Sequence, residues 1–205
     1  MDKLDALKIK YNDFLSFVDY IIGSEHNGQI FSNFKPVSDD KGDISHSIKV
    51  LKYVSAYPEY SYLFFGRSGT GKNHLTSAII QYRILSEIDK GNLACPSIIM
   101  TTPFLISEKV RAAMTDKKNS DYVKKCKDAK LLVLNEIGRS KQSDFEKDIL
   151  FDMIDYRLEK DMQTIFISGM DETELNKYFG VALMDRIKSK CKFIHFDWLS
   201  YRKPE

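Results

Sequence analysis

The 205-residue sequence is short of the residues that build metal centres and cross-linked scaffolds. Its three cysteines, Cys95, Cys126 and Cys191, lie far apart with no CxxC pair, and its four histidines are equally scattered. Metal-ligand spacing is therefore absent, and a reducing, cytoplasmic setting is the expectation. The opening residues Met1-Asp2-Lys3-Leu4-Asp5 carry acids where a secretory leader has a basic region. No apolar run is long enough to cross a bilayer. Charge of one sign is also scarce. Thirty-one Lys and Arg against 29 Asp and Glu leave a net +2, too little to coat a nucleic acid, so any contact of that kind must come from a local patch. What is present is an ordinary core-forming composition, 43% hydrophobic and 29% charged, sized for one domain with a short appendage.

Leu4, Leu7, Tyr11, Phe14, Val18 and Ile21 recur alternately three and four residues apart, which predicts one apolar stripe on a helix over about Asp2–Ile22. The run Gly23–Gly28 breaks that pattern and reads as a hinge. Residues 29–42 have no period. Ile48, Leu51 and Val54 then give helical spacing over 44–57, closed by Pro58. From Ser61 onward short apolar runs alternate with helical stretches. Strands are expected at Ser61–Phe65, Ser97–Thr101, Leu131–Leu134, Thr164–Ser168 and Phe193–Phe196. Helices are expected at Lys72–Asp89, Pro103–Met114, Asp121–Lys127, Asp144–Lys160, Asp171–Phe179 and Val181–Lys190. Such alternation predicts an α/β domain with a five-stranded parallel sheet between helices. The organisation is an N-terminal helical arm, residues 1–28, followed by one domain, residues 29–205.

Between the first strand and its helix stands Gly66-Arg67-Ser68-Gly69-Thr70-Gly71-Lys72, the GxxxxGK pattern in the strand–loop–helix context that it requires. Glycines let successive N–H groups turn inward at a helix N-terminus, where partial positive charge suits phosphate. Lys72 would reach the β- and γ-phosphates. Asn73 and His74 follow, where most such loops carry Ser or Thr as a Mg²⁺ ligand. A second motif, Asn135-Glu136-Ile137-Gly138, ends the apolar run Leu131–Leu134.

The stretch Gly69-Thr-Gly-Lys-Asn-His-Leu75 resembles the phosphate loop of the DnaC-type helicase loaders of the AAA+ class, and the resemblance covers about Phe31 to Arg202. It implies an AAA+ core without the C-terminal helical lid, ATP or ADP with Mg²⁺ as cofactors, and a set of site residues. Glu136 takes the place of the glutamate that orients the attacking water, while Asn135 stands where the family has aspartate. With amides at both Asn73 and Asn135 as metal ligands, Mg²⁺ binding should be weak and hydrolysis slow or lost. Leu183-Met-Asp-Arg-Ile187 is similar to the segment carrying the arginine finger, which makes Arg186 the finger and implies self-association. Trp198-Leu-Ser-Tyr-Arg202 is similar to the closing motif, with Arg202 as a phosphate sensor. Asp171 falls near the first sensor, although Asp171…Glu174, like Ser143…Glu146, is also a capping-box pattern.

The resemblance further places an extra DNA-path helix at Pro103–Arg111, where Phe104, Lys109 and Arg111 offer stacking surface and charge for single-stranded DNA. Lys117, Lys118, Lys124, Lys125 and Lys127 add charge nearby. The arm stripe, Leu4 to Ile21, falls where DnaC-type loaders grip the replicative helicase, and helix-in-groove recognition suits it. The implied function is ATP-dependent loading of a DnaB-like hexameric helicase onto single-stranded DNA at replication initiation, in a phage or mobile-element version. The alternatives are an IstB-like transposition helper and a non-hydrolysing nucleotide-binding adaptor of the helicase.

Overall fold

The computed structural model describes Ile21, Gly23 and residues 28–90, 97–115, 121–139 and 143–202. The arm from Leu4 to Val18, Cys95, Lys117 and Lys118 lie outside the described residues. After a 3-10 turn at Phe31–Asn33 come α1 (Ser45–Ala56), β1 (Tyr62–Gly66), α2 (Lys72–Asp89), β2 (Ile98–Thr101), α3 (Pro103–Thr115) and α4 (Tyr122–Asp128). Then follow β3 (Leu131–Ile137), α5 (Asp144–Glu159), β4 (Gln163–Ser168), α6 (Glu172–Lys190) and β5 (Lys192–Phe196).

The five strands form one sheet in the order β2-β3-β4-β1-β5, every neighbouring pair parallel. Parallel strands are covered on both faces, which is why β1 reads as an unbroken apolar run and both β1 and β4 are buried along their whole length, β4 with polar Gln163, Thr164 and Ser168 flanking its apolar Ile165–Ile167. Alternate residues feed two cores. Tyr62 and Phe64 of β1 pack with Val50 and Val54 of α1 and with Leu75, Ile79 and Ile84 of α2. Leu63 and Phe65 face the other way, toward Ile106 of α3, Cys126 of α4, Leu150 and Ile154 of α5, and Phe179 and Ile187 of α6. Among the described elements two helices thus cover one face and four the other.

Helix boundaries follow local chemistry. Pro103 opens α3, and the Thr102 hydroxyl accepts from the Leu105 N–H at 3.1 Å. Ser143 and Glu146 form the expected capping box on α5, and Asp171 and Glu174 form the one on α6. Gly180, at φ +74° and ψ 163°, breaks α6 where the sequence separates Phe179 from Val181. One boundary moves. β3 continues three residues past Leu134 to Ile137, with a register shift between Leu134 and Ile137, because the acidic motif stays against β4.

Arg157 of α5 is wholly buried beneath this sheet. Its guanidinium donates to the carbonyl oxygens of Cys126, Lys127, Ala129 and Gln163 at 2.6–2.9 Å and to the Thr164 hydroxyl at 3.0 Å. One side chain thereby ties the end of α4 to the entry of β4.

Candidate functional site

A cleft of about 890 Å³ opens at the carboxyl ends of β1, β3 and β4. In an open parallel sheet this is the edge where ligands bind, because the loops leaving the strands diverge there. Its floor is the glycine loop after β1. Gly66, Gly69 and Gly71 sit at φ +107°, +73° and +93°, backbone that side chains rarely adopt. A Cβ at Gly66 would stand 2.7 Å from the Phe196 carbonyl oxygen, and one at Gly71 2.7 Å from the Phe34 ring. The loop delivers the chain into α2 with Gly71 as N-cap and no side chain capping its first turn, so those N–H groups face the cleft end of the helix. Lys72 is 8% exposed and donates to the carbonyl oxygens of Gly66 at 2.8 Å and Arg67 at 2.5 Å. Burial pushes its ammonium down to a pKa of about 8.

The segment after β5 straps this loop in place. The Trp198 indole N–H donates to the Thr70 carbonyl at 2.9 Å, the Tyr201 N–H to the Gly69 carbonyl at 2.9 Å, and the Arg67 N–H to the Phe196 carbonyl at 3.1 Å. The Tyr201 hydroxyl donates to the Lys35 carbonyl, and the Phe34 ring stands edge-on to both His74 and Tyr201.

Ser68, Gly69, Thr70, Gly71, Lys72, Asn73, His74, Asn135, Glu136 and Arg202 all line the cleft. Gly66 lies at the strand end behind it. Arg67 turns away to a bidentate pair with Asp40 at 2.6 and 3.1 Å. Asp171 caps α6, its carboxylate accepting from the Glu174 N–H at 2.8 Å, and does not line the cleft. The polar residue that β4 brings there is Ser168, whose hydroxyl donates to the Ile137 carbonyl at 2.9 Å. Gln29, Arg139 and Ser168 line the cleft without any motif announcing them, and Glu174 and Tyr201 join them from patterns in which only Asp171 and Arg202 were expected to act.

At the acidic wall Glu136 holds φ +57°, and its N–H donates to the Asn135 side-chain oxygen at 2.9 Å. The Glu136 carboxylate pairs with Arg139. Glu174 accepts from the Asp171 N–H at 2.9 Å. A hard dication needs several oxygen donors, carboxylates above all. Here Asn73 and Asn135 are amides, the Asn135 oxygen is already engaged, and both lining carboxylates are shared. No group of three or more His, Cys, Asp or Glu able to hold a metal occurs among the described residues. The donor set does not fit a magnesium ion held directly by the protein.

The remaining predicted residues lie elsewhere. Arg186, exposed on α6, pairs with Asp155 of α5. Phe104 is exposed on α3 and Lys109 half-buried, whereas Arg111 is committed to Glu108 at 2.6 Å and Glu146 at 2.5 Å. Lys124 and Lys125 are exposed, and Lys127 is paired with Asp152 at 2.5 Å. Ile21, the last residue of the arm stripe, is helical and packs against the core on the α1–α2 side. Leu4, Leu7, Tyr11, Phe14 and Val18 lie outside the described residues.

A parallel five-stranded sheet in this order, with a glycine loop and buried lysine after its first strand and an acidic motif ending its third, is the P-loop core of the AAA+ class. The chain belongs to the family of IstB-like ATP-binding proteins, whose model matches residues 33–205. It is similar to the replicative helicase loader DnaC of Buchnera aphidicola subsp. Schizaphis graminum, 29% identical over 183 residues that cover 84% of this chain and 69% of that protein. It is likewise similar to the replicative helicase loader DnaC of Escherichia coli strain K12, 27% identical over 182 residues, 86% of this chain and 70% of that one. A crystal structure of the DnaC helicase loader superposes with a TM-score of 0.66 over 84% of this chain and 98% of its own, at 16% identity, which bears on the fold alone.

Proposed function

We propose that this chain is an ATP-binding loader for a hexameric DnaB-like replicative helicase, taking nucleotide in the cleft and gripping the helicase through its N-terminal arm, residues 1–28. The observation that carries the reading is the loop itself: three left-handed glycines, held from behind by Trp198 and Tyr201, lead into an uncapped helix start with a buried lysine beside it. Backbone N–H groups of that loop and the Lys72 ammonium would hold the phosphates, and Arg202 would meet the terminal one. A bound triphosphate supplies the negative charge that draws these cations together. That gives ATP and ADP states a different grip on helicase and single-stranded DNA. Arg186 acts on the cleft of a neighbouring copy, once released from Asp155. Phe104 and Lys109 remain the better DNA contacts, since Arg111 is spent on two carboxylates.

The Asn73-His74 pair and the helicase-loader names of both curated relatives favour a loader over a transposition helper. Asn135 favours a second reading in which nucleotide is held and scarcely hydrolysed, as in an adaptor. Purified protein should bind a fluorescent ATP analogue and co-purify with a DnaB-type helicase, while Lys72→Ala should lose nucleotide at least about a hundredfold. Correctly folded protein without affinity for adenine nucleotides, or K72A binding as tightly as the parent, overturns the reading. ATP turnover beside Asn135→Asp decides between loader and adaptor. A gain in N135D marks a weakened ATPase, and two silent proteins mark an adaptor.

A further inference from the structure

The mismatch between the acidic wall and a hard dication points to an unusual electrostatic design. We infer that the cleft binds its nucleotide without a divalent cation, Arg139 supplying the charge that a metal supplies in other P-loop sites. The inference rests on the nucleotide-binding reading above.

Three observations carry it. Both positions from which a P-loop core reaches its dication hold amides, Asn73 in the first turn of α2 and Asn135 at the end of β3. The Asn135 oxygen is turned onto its own backbone, where the Glu136 N–H donates to it at 2.9 Å, and Glu136 at φ +57° fixes that local loop. Replacing the carboxylate of the usual aspartate by an amide also removes the negative charge that would oppose a bare triphosphate.

The cations in the cleft supply the second half. Among the described residues Lys72, Arg139 and Arg202 line it against the carboxylates of Glu136 and Glu174, an excess of positive charge before any ligand arrives. Arg139 is placed for this by the turn after β3. Gly138 at φ +85° reverses the chain, the Arg139 N–H donates to the Glu136 carbonyl at 3.2 Å, and the guanidinium comes back over the cleft to the Glu136 carboxylate. That side chain is 74% exposed, and an exposed ion pair of this kind is held weakly. A phosphate can displace the carboxylate from the guanidinium fork, whose planar donors match it in two-point geometry. Even undisplaced, Arg139 cancels the charge of Glu136 next to the phosphates.

The test is equilibrium binding of ATP to the full chain in excess magnesium and in excess EDTA, with three variants. Parent affinity should agree in the two conditions within about twofold, because no ligand of the metal comes from the protein. Arg139→Gln should weaken binding about tenfold in both conditions, and Arg139→Lys should recover part of it, with thermal unfolding of each unchanged because the side chain is exposed. Asn135→Asp should create a magnesium requirement, binding about tenfold less tightly in EDTA. A parent affinity that collapses in EDTA overturns the inference and leaves the nucleotide-binding reading intact, as does an R139Q variant indistinguishable from the parent. Absence of binding in both conditions removes the inference together with the reading beneath it.

Discussion

Lys72 carries an ammonium pressed against two backbone carbonyls, and its burial has a consequence in solution. With the pKa near 8 rather than 10.5, the side chain is charged at neutral pH but loses its proton in mildly alkaline buffer. A bound triphosphate favours the charged form and raises that pKa, so affinity is complete below the pKa of the unliganded protein and declines as pH climbs past it. Between about pH 7 and pH 9 nucleotide affinity should fall about tenfold, since one unit above the pKa leaves about a tenth of the lysine charged. An affinity flat to pH 9 in titrations across that range would mean that Lys72 is not depressed. Proton uptake on binding, read as a buffer-dependent heat, should accompany the decline. At the opposite wall, Glu136 stands in left-handed backbone that a non-glycine residue holds only under constraint, here the bulge of β3.

Between elements, two side chains carry more than their share. Arg157 donates to four carbonyl oxygens, those of Cys126, Lys127 and Ala129 around the end of α4 and that of Gln163 at the start of β4. Arg157→Met keeps much of the volume but strands those oxygens in a dry interior. Urea unfolding should register a loss of about 3–5 kcal/mol, and a change under about 1 kcal/mol would show that water reaches them. Trp198 joins the strap after β5 to the phosphate loop through one hydrogen bond and packs on Phe196 at 4.7 Å between ring centroids. Trp198→Phe keeps the ring and drops the donor. It should cost about 1 kcal/mol of stability and weaken nucleotide binding in parallel, because the Thr70 carbonyl is then left buried without its partner. An unchanged nucleotide affinity in W198F would mean that the loop keeps its shape without the strap. Capping explains why Asp171 drops out of the cleft: the pattern that starts α6 consumes its carboxylate before it can face a ligand.

For the molecule as a whole, the sheet order brings the ends of β1, β3 and β4 to one edge although β2 and α3 intervene in the chain. Ile21 packs against the α1–α2 side of the core. Removing residues 1–20 should leave thermal unfolding and nucleotide affinity unchanged while abolishing co-purification with a DnaB-type helicase. A complex that survives the deletion would move the partner surface onto the domain itself.

Element identity was legible because each strand is built around a short apolar segment and the helices between them show helical spacing. All five strands and the six helices from α1 to α6 stand within a residue or two of where period and breaker residues put them, apart from the longer β3. The phosphate loop was legible for a related reason: its glycines and lysine are contiguous, and local backbone geometry makes the site. Sequence alone also fixed the amides at Asn73 and Asn135. Only the tertiary structure decided which distant residues share the cleft, bringing in Gln29, Ser168 and Tyr201, and which predicted ones turn elsewhere, Arg67 to Asp40 and Arg111 to Glu146. The division has a physical cause. Backbone preference acts over a few neighbouring residues, whereas the direction of a charged side chain is set by whichever opposite charge or carbonyl the fold carries to it from far along the chain.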